Sequence, residues 1–318
     1  MSEDMTFSVQ EAVLSNLERL SKERSIISDQ RLLELYDVVI PVADASVGLL
    51  EDGLSSYDVL SVISEGLSFG EYRLSDYTTP EHRVLLAKDA RALCLADRAL
   101  FTELYVKELA KRGHPFSEKD FLPGSPCTET FTYVRNSFSD EAFDVFSQDF
   151  VDPRVKYSSS FKDAARLVSS GEVTYSLFPL EEKGGARLPT VSEIIFRNDF
   201  KINSVIPVFG PDGNADMKYA LVSKSFTVPE RRKDDDIYLE LRLGSDADTS
   251  LSELLTLTDR FGMTPYRVNT VTFDIEGEEE TYFSIVIKDG GTGFAPFLCY
   301  LALFVRDFVP VGIYKNLE

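Results

Sequence analysis

From Ile237 onward the apolar residues change their period in an order that few folds accept. Ile237, Leu239, Leu241 and Leu243 alternate with polar residues, the mark of a half-buried strand. Ser250 to Phe261 then carries Leu251, Leu254, Leu255 and Thr258 at helical spacing. Two further strands, Arg267 to Phe273 and Tyr282 to Lys288, flank the acidic turn Glu276-Gly277-Glu278-Glu279-Glu280. An apolar helix over Pro296 to Phe308 and a last strand over Pro310 to Tyr314 complete a βαββαβ order, the ferredoxin-like pattern. Such small domains serve as enzymes, nucleic-acid binders and ligand sensors, so the pattern alone leaves function open.

Upstream, strand and helix alternate differently. Thr130 to Val134 reads as a strand, Ser139 opens a helix through Phe146, and Val155 to Ser158 reads as a second strand. A helix over Phe161 to Ser169 stops at Gly171, a strand follows over Thr174 to Leu180, and Val191 to Phe196 is helical again. This alternation implies a parallel α/β unit. Lys201 to Phe209 and Met217 to Ser223 are strongly β and are separated only by Gly210-Pro211-Asp212-Gly213-Asn214, dense turn chemistry for a hairpin. Val9 to about Arg112 is helical by pattern, with breaks expected near Pro41, Gly53, Gly66 and Pro80. Its clearest helix starts at Pro80 behind Thr79 and stops at Gly113. There Leu85, Leu93, Ala96, Leu100 and Leu104 share an arc of about 100°, with Lys88, Arg91 and Arg98 roughly opposite. Asp89 falls inside the apolar arc and is either paired with a neighbour or marks a site. The Pro- and Gly-rich stretch from His114 to Glu129 is a linker. The expectation is an α+β multidomain chain: a helical bundle over 1–115, an α/β lobe over 130–226 and a ferredoxin-like domain over 236–318.

Composition narrows the function classes. A chain of 318 residues suits two or three domains. No apolar run is long enough for a membrane span, and Met1 to Gln10 has no apolar h-region, so a soluble, cytoplasmic protein is expected. The net charge of -20 opposes a nucleic-acid backbone as partner. The basic run Glu230-Arg231-Arg232-Lys233 is cancelled at once by Asp234-Asp235-Asp236, as in a solvated hinge. Cys94, Cys127 and Cys299 are few and scattered, and His82 and His114 have no partner at ligand spacing, so no metal and no cofactor is expected.

The chain from about Phe131 to its end resembles prephenate dehydratase followed by an ACT domain. Tyr133-Val134-Arg135-Asn136-Ser137-Phe138-Ser139-Asp140-Glu141-Ala142 is similar to that family's opening strand and turn, with Ser137-Phe138-Ser139 in place of Ser-Tyr-Ser and the turn glycines absent. Ser169 to Glu182 resembles the stretch ending Pro-Ile-Glu-Asn-Ser: Pro179 and Glu181 match, and Glu182 and Lys183 replace the last two. The resemblance implies a periplasmic-binding-protein-like α/β lobe whose second lobe is missing. The strand that returns with the catalytic Thr-Arg-Phe in the family is Met217-Lys218-Tyr219 here, after only a tight turn. Methionine cannot donate a proton, so Ser139, Glu181 and Met217 mark degenerate catalytic positions.

In the ACT-like part, Thr249-Ser250-Leu251 stands for the family's Gly-Ala-Leu, and Asn269-Thr270-Val271-Thr272 for Glu-Ser-Arg-Pro. Thr249, Ser250, Leu251, Asn269 and Thr270 are the ligand-binding positions so implied. Val311-Gly312-Ile313-Tyr314 resembles the closing Leu-Gly-Ser-Tyr strand. Near the N-terminus, Arg73 and Pro80-Glu81-His82-Arg83-Val84-Leu85-Leu86 resemble a chorismate mutase, which makes Arg83 a candidate there, beside Asp89 from its place in the apolar arc. The implied function is a dehydratase-related protein of phenylalanine metabolism, without dehydratase activity, that senses or binds an aromatic amino acid or related small molecule. The alternative is an active chorismate mutase/prephenate dehydratase-type enzyme. Self-association through the ACT-like domain is expected, with strand Ile237 to Leu243 offering an apolar face.

Overall fold

The structure is a computed structural model that describes residues 30, 32–69, 95–122, 124, 128–210, 215–231, 235–245, 249–275, 278–305 and 308–315. It divides into two compact units, Met1–Pro115 and Phe116–Glu318. Thr79, Arg83, Asp89, Cys94 and Cys127 lie outside the described residues.

Among its described residues the first unit shows three helices: α1 over 32–51, α2 over Ser56–Phe69 and α3 over Leu95–Lys111. The break expected at Pro41 is absent, and α1 runs through it. Proline there removes one helical hydrogen bond, and the loss is offset by the apolar stripe around it, with Val38, Val39, Val42 and Ala43 all buried. Gly53, at φ 94°, makes the turn into α2, where a side chain would be strained. The buried face of α3 is carried by Phe101, Leu104, Tyr105 and Leu109, and Leu100, expected in the apolar arc, is only half-buried. The two rings set this phase: they stack with centroids 6.0 Å apart, and Tyr105 donates to Ser46 Oγ at 2.8 Å. Arg98, expected to face water, is half-buried. The helix ends where expected, at Gly113.

The second unit is built on one nine-stranded sheet. Its elements are α4 (Glu118–Phe121), β1 (Thr130–Thr132), α5 (Ser137–Phe146), β2 (Arg154–Val155), α6 (Phe161–Ser169), β3 (Tyr175–Glu182), α7 (Pro189–Arg197), β4 (Lys201–Phe209), β5 (Ala215–Ser223), β6 (Ile237–Gly244), α8 (Leu251–Arg260), β7 (Thr264–Ile275), β8 (Glu278–Lys288), α9 (Ala295–Phe304) and β9 (Phe308–Lys315). The order across the sheet is β2-β1-β3-β5-β4-β9-β6-β8-β7. Strand β1 is parallel to β2 and β3, while β5 is antiparallel to β3 and β4. The last four strands run β9-β6-β8-β7, all antiparallel, with α8 and α9 in the crossovers. Helix α5 begins at Ser137, two residues before the expected start, because Asn136 is its N-cap and accepts from Ser139 N at 3.0 Å.

The α/β segment and the ferredoxin-like segment meet inside the sheet, where β4 runs parallel to β9 with Ile202 opposite Gly312. A Cβ on Gly312 would stand 2.8 Å from Ile202 Cβ, so only glycine lets these strands approach. One apolar cluster crosses the seam, joining Phe178, Val191, Ile194 and Val222 to Tyr238, Val286, Val311 and Tyr314. A second cluster, of Phe131, Tyr133, Phe146, Tyr175 and Leu221, fills the opposite face of the α/β part.

Strand β6 is an interior strand, its backbone paired with β8 on one side and β9 on the other; β2 and β7 are the edges. The charged connection before β6 corrects a sequence expectation, since it is not a freely solvated hinge. Arg231 pairs with Glu118 at 2.6 Å and with Asp289, Asp235 pairs with Lys315 at 2.5 Å, and Asp236 with Lys288 at 2.7 Å. These charges find partners far along the chain instead of cancelling locally.

Candidate functional site

The polar residues of β6 do not face water. Glu240 is 3% exposed, and the face it shares with Arg242 lies under α7. The register places Arg242 opposite Ser284, Ser284 opposite Asn269, and Glu240 opposite Val286 beside Arg267. Glu240, Arg242, Ser284, Arg267 and Asn269 therefore share one face by strand alternation. The other face holds Leu239, Leu241, Leu243, Ile285 and Ile287, all essentially unexposed.

The cation that makes this burial tolerable comes from the α/β segment. After β3 the chain turns through Gly184 and Gly185, at φ 93° and 85°, and returns so that Arg187 lies opposite Glu181. Arg187 grips Glu240 with two parallel hydrogen bonds, Nη1 to Oε1 at 2.9 Å and Nη2 to Oε2 at 2.8 Å. Such a fork holds a carboxylate more firmly than a single ammonium contact. Ser284 Oγ donates to Oε1 at 3.2 Å and Tyr314 Oη to Oε2 at 2.9 Å, so both carboxylate oxygens are engaged. Arg187 Nε is 3.3 Å from Glu181 Oε1, which also pairs with Arg267. Arg267 Nη1 further donates to Gly185 O at 3.2 Å.

The electrostatics follow from burial. Desolvation alone would lower the Arg187 pKa, but Glu240 and Glu181 outweigh it and leave the guanidinium above its usual range. Burial, followed by the Glu240 carboxylate, pushes the Tyr314 phenol well above its ordinary value, so it stays a donor. Arg242 is the exception. Its pKa is lowered by desolvation, which the attraction of Asp199, 3.6 Å away and largely solvent-exposed, opposes without offsetting. It remains cationic, since guanidinium is protonated across the physiological range.

Arg242 and Arg187 line a pocket with Glu240, Ser284, Val271 and Val311. Its walls include Phe196 from α7, Phe273 from β7 and Tyr282 from β8, with ring centroids 4.6 to 6.4 Å apart. Arg242 Cζ lies 4.3 Å from the Phe196 centroid. The empty space, counting the open mouth, is about 440 Å³. A smaller recess lined by Glu181, Lys218, Tyr266 and Arg267 lies on the other side of Arg187.

The residues singled out from sequence are scattered by comparison. Ser139 is tied up locally: its hydroxyl accepts from Asn136 N at 2.8 Å and lies 2.9 Å from Val134 O. Glu181 joins the charged cluster, and Met217 packs against the aromatic core around Phe131 and Tyr219. Ser250 caps α8, accepting from Glu253 N at 3.2 Å while Glu253 Oε2 accepts from Ser250 N at 3.0 Å. Thr249 and Leu251 flank that cap and are half-buried. Thr270 is exposed, and Asn269 lies in the row of Arg242 with its Nδ2 buried and without a hydrogen-bond partner. Glu240 and Arg242 gave no signal in sequence, because they alternate with leucines as solvated residues would, and Arg187 and Arg267 were not singled out; Tyr314 entered only as the end of the closing strand.

Among the described residues, no group of three or more His, Cys, Asp or Glu could hold a metal ion. No described helix is long and apolar enough to cross a membrane. Cys299 is buried, which raises its thiol pKa.

No family model matches the chain, and no curated protein is matched either. Solved structures with a likeness include a prephenate dehydratase from Streptococcus mutans, at 16% identity and a TM-score of 0.46, over 60% of this chain and 100% of that one. Others are GqqA, described as a novel type of quorum quenching acylase (15%, 0.44, 60% and 97%), and a prephenate dehydratase in complex with L-Phe from Arthrobacter aurescens (14%, 0.44, 59% and 90%). Identities and scores this low transfer none of those proteins' activities to this chain.

Proposed function

We propose that this chain is a dehydratase-derived protein that binds a small aromatic acid of amino acid metabolism and does not convert prephenate. One observation carries the reading. Strands β4 and β5 pair antiparallel from Lys201 opposite Ser223 to Phe209 opposite Ala215, with register shifts at Ile202/Ser204 and Val208/Phe209 and only residues 210–214 between the strands. Five residues leave no room for a second lobe, and without it there is no cleft to orient two carboxylates and exclude water. Met217 stands where the resemblance expects a hydroxyl donor, and its thioether cannot protonate a leaving group. The enclosed polar positions that remain, Arg187, Arg242 and Glu240, suit binding better than turnover, since both oxygens of the one lining carboxylate are already spoken for.

A thermal-shift panel of phenylalanine, tyrosine, tryptophan, chorismate and prephenate tests this. A ligand at a hundredfold excess over its dissociation constant adds about 2.7 kcal/mol, so at least one aromatic compound raises the melting temperature measurably. A panel in which none does so contradicts the binding reading.

A further inference from the structure

The pocket beneath α7 holds a donor with no partner. Arg242, in its lining, has a buried Nε without a hydrogen-bond partner; Asn269 Nδ2, which stands with Arg242 opposite Ser284 in the register but outside the lining, is in the same state. Buried donors left unmet cost free energy that an incoming acceptor would recover. The carboxylate lining the pocket cannot be that acceptor: Glu240 already accepts from Arg187, Ser284 and Tyr314. The acidic neighbour of Arg242, Asp199, is 66% exposed and is also held by Lys201 at 2.7 Å. Two guanidiniums thus face one carboxylate whose charge is already matched. Around them stand Phe196, Phe273 and Tyr282, so the recess sets an aromatic wall beside the guanidinium and is open at its mouth.

We propose that this pocket binds a small aromatic monocarboxylate without an ammonium group, its carboxylate accepting from Arg242 and its ring lying against Phe196, Phe273 and Tyr282. The inference rests on the reading that the chain binds an aromatic acid, and it fixes where and which kind. An α-ammonium group finds no free carboxylate in the lining, so a zwitterionic amino acid loses hydration there without a charged partner. The positions Thr249 to Leu251 are not part of this site.

Calorimetric titration of the full chain with 3-phenylpropanoate, phenylalanine and 2-phenylethylamine tests the proposal. The des-amino acid binds at least about tenfold more tightly than phenylalanine, and the amine does not bind, because a charge-assisted hydrogen bond is gained by the first and an unmatched cation is buried by the others. Arg242→Met, which keeps the packing volume and removes the donor, weakens 3-phenylpropanoate by at least about tenfold. The chain has no tryptophan, so Phe196→Trp places a single fluorophore in the pocket wall and gives a second measurement should Arg242→Met fail to fold. Its emission changes saturably with 3-phenylpropanoate. Binding that survives Arg242→Met, that leaves the Trp emission unmoved, or that is lost instead in Thr249→Ala overturns the site while leaving the binding reading intact. Phenylalanine binding as tightly as 3-phenylpropanoate overturns the ligand class. If none of these compounds nor any aromatic ligand of the thermal-shift panel binds, the binding reading itself falls.

Discussion

The two faces of β6 show how differently one strand can be buried. Leu239, Leu241 and Leu243 are buried on one face, together with Ile285 and Ile287 of the paired strand β8 in the same ferredoxin-like segment. Glu240 and Arg242, one residue out of phase, are buried under α7 by a helix and a guanidinium supplied from the α/β segment. The apolar face is stabilised by area removed from water and tolerates hydrophobic variation. The charged face is held by stoichiometry. Each ion there needs its counterpart, and a missing member leaves an uncompensated charge in a low-dielectric interior.

The largest expected effect breaks that stoichiometry. Glu240→Ala leaves Arg187 buried without its main partner and costs about 3–5 kcal/mol in chemical denaturation. The double variant Arg187→Met/Glu240→Leu removes both charges and lies closer to wild type than Glu240→Ala does. A double variant less stable than Glu240→Ala would mean that the face is held by packing alone. On the apolar face, Leu241→Ala costs about 2–5 kcal/mol, and no second substitution at a charged position restores it.

Next in size is the seam between the segments. Gly312→Ala pushes a methyl group into β4 at Ile202 and costs about 1–3 kcal/mol. Hydrogen exchange of β4 and β9 then accelerates ahead of β1 and β3. Uniform acceleration across the sheet would show that the two segments do not meet at Gly312 as an energetic boundary.

The smallest effect lies away from both faces. Glu172 accepts from Lys156 at 2.7 Å and from Arg166 at 2.9 Å, which hold its carboxyl at about 2, below its usual value of 4.5. A carboxyl whose folded pKa is depressed adds stability above its unfolded pKa, and that contribution is lost as pH falls from about 4.5 toward about 2. Glu172→Gln therefore flattens the acid limb of the melting curve: it removes a contribution that is present at neutral pH, small because exposed pairs are weak, and it converges on the wild type as pH falls from about 4.5 toward about 2. A difference from the wild type that grows as pH falls through that window would contradict this.

Sequence reading succeeds where period and neighbours are local. The strands around the Gly210–Asn214 turn, the β6 apolar stripe and the start of α8 at Ser250 were all legible, because each depends on residues within a few positions. The path of α1 through Pro41 was not, since helix burial around Val38 and Val42 overrode a local breaker. The charged pocket was illegible for a different reason. Arg187 and Glu240 are 53 residues apart, and a strand reading Leu-Glu-Leu-Arg-Leu fits a solvent-facing edge as well as a buried ion cluster. Glu181 was reached through a resemblance, yet its partners, Arg187 and Arg267, were not.

The central proposal, that the chain binds an aromatic acid and has no two-lobed cleft to convert prephenate, is tested most directly by prephenate itself. Phenylpyruvate formation is followed with purified chain at neutral pH, for the wild type and for Met217→Thr. The account predicts no rate above the spontaneous acid-catalysed background for either, because restoring one hydroxyl does not restore the cleft that must orient the substrate. Enzyme-dependent phenylpyruvate formation by the wild type would contradict it, and activity appearing only in Met217→Thr would show that one missing proton donor, and not a missing lobe, silences the chain.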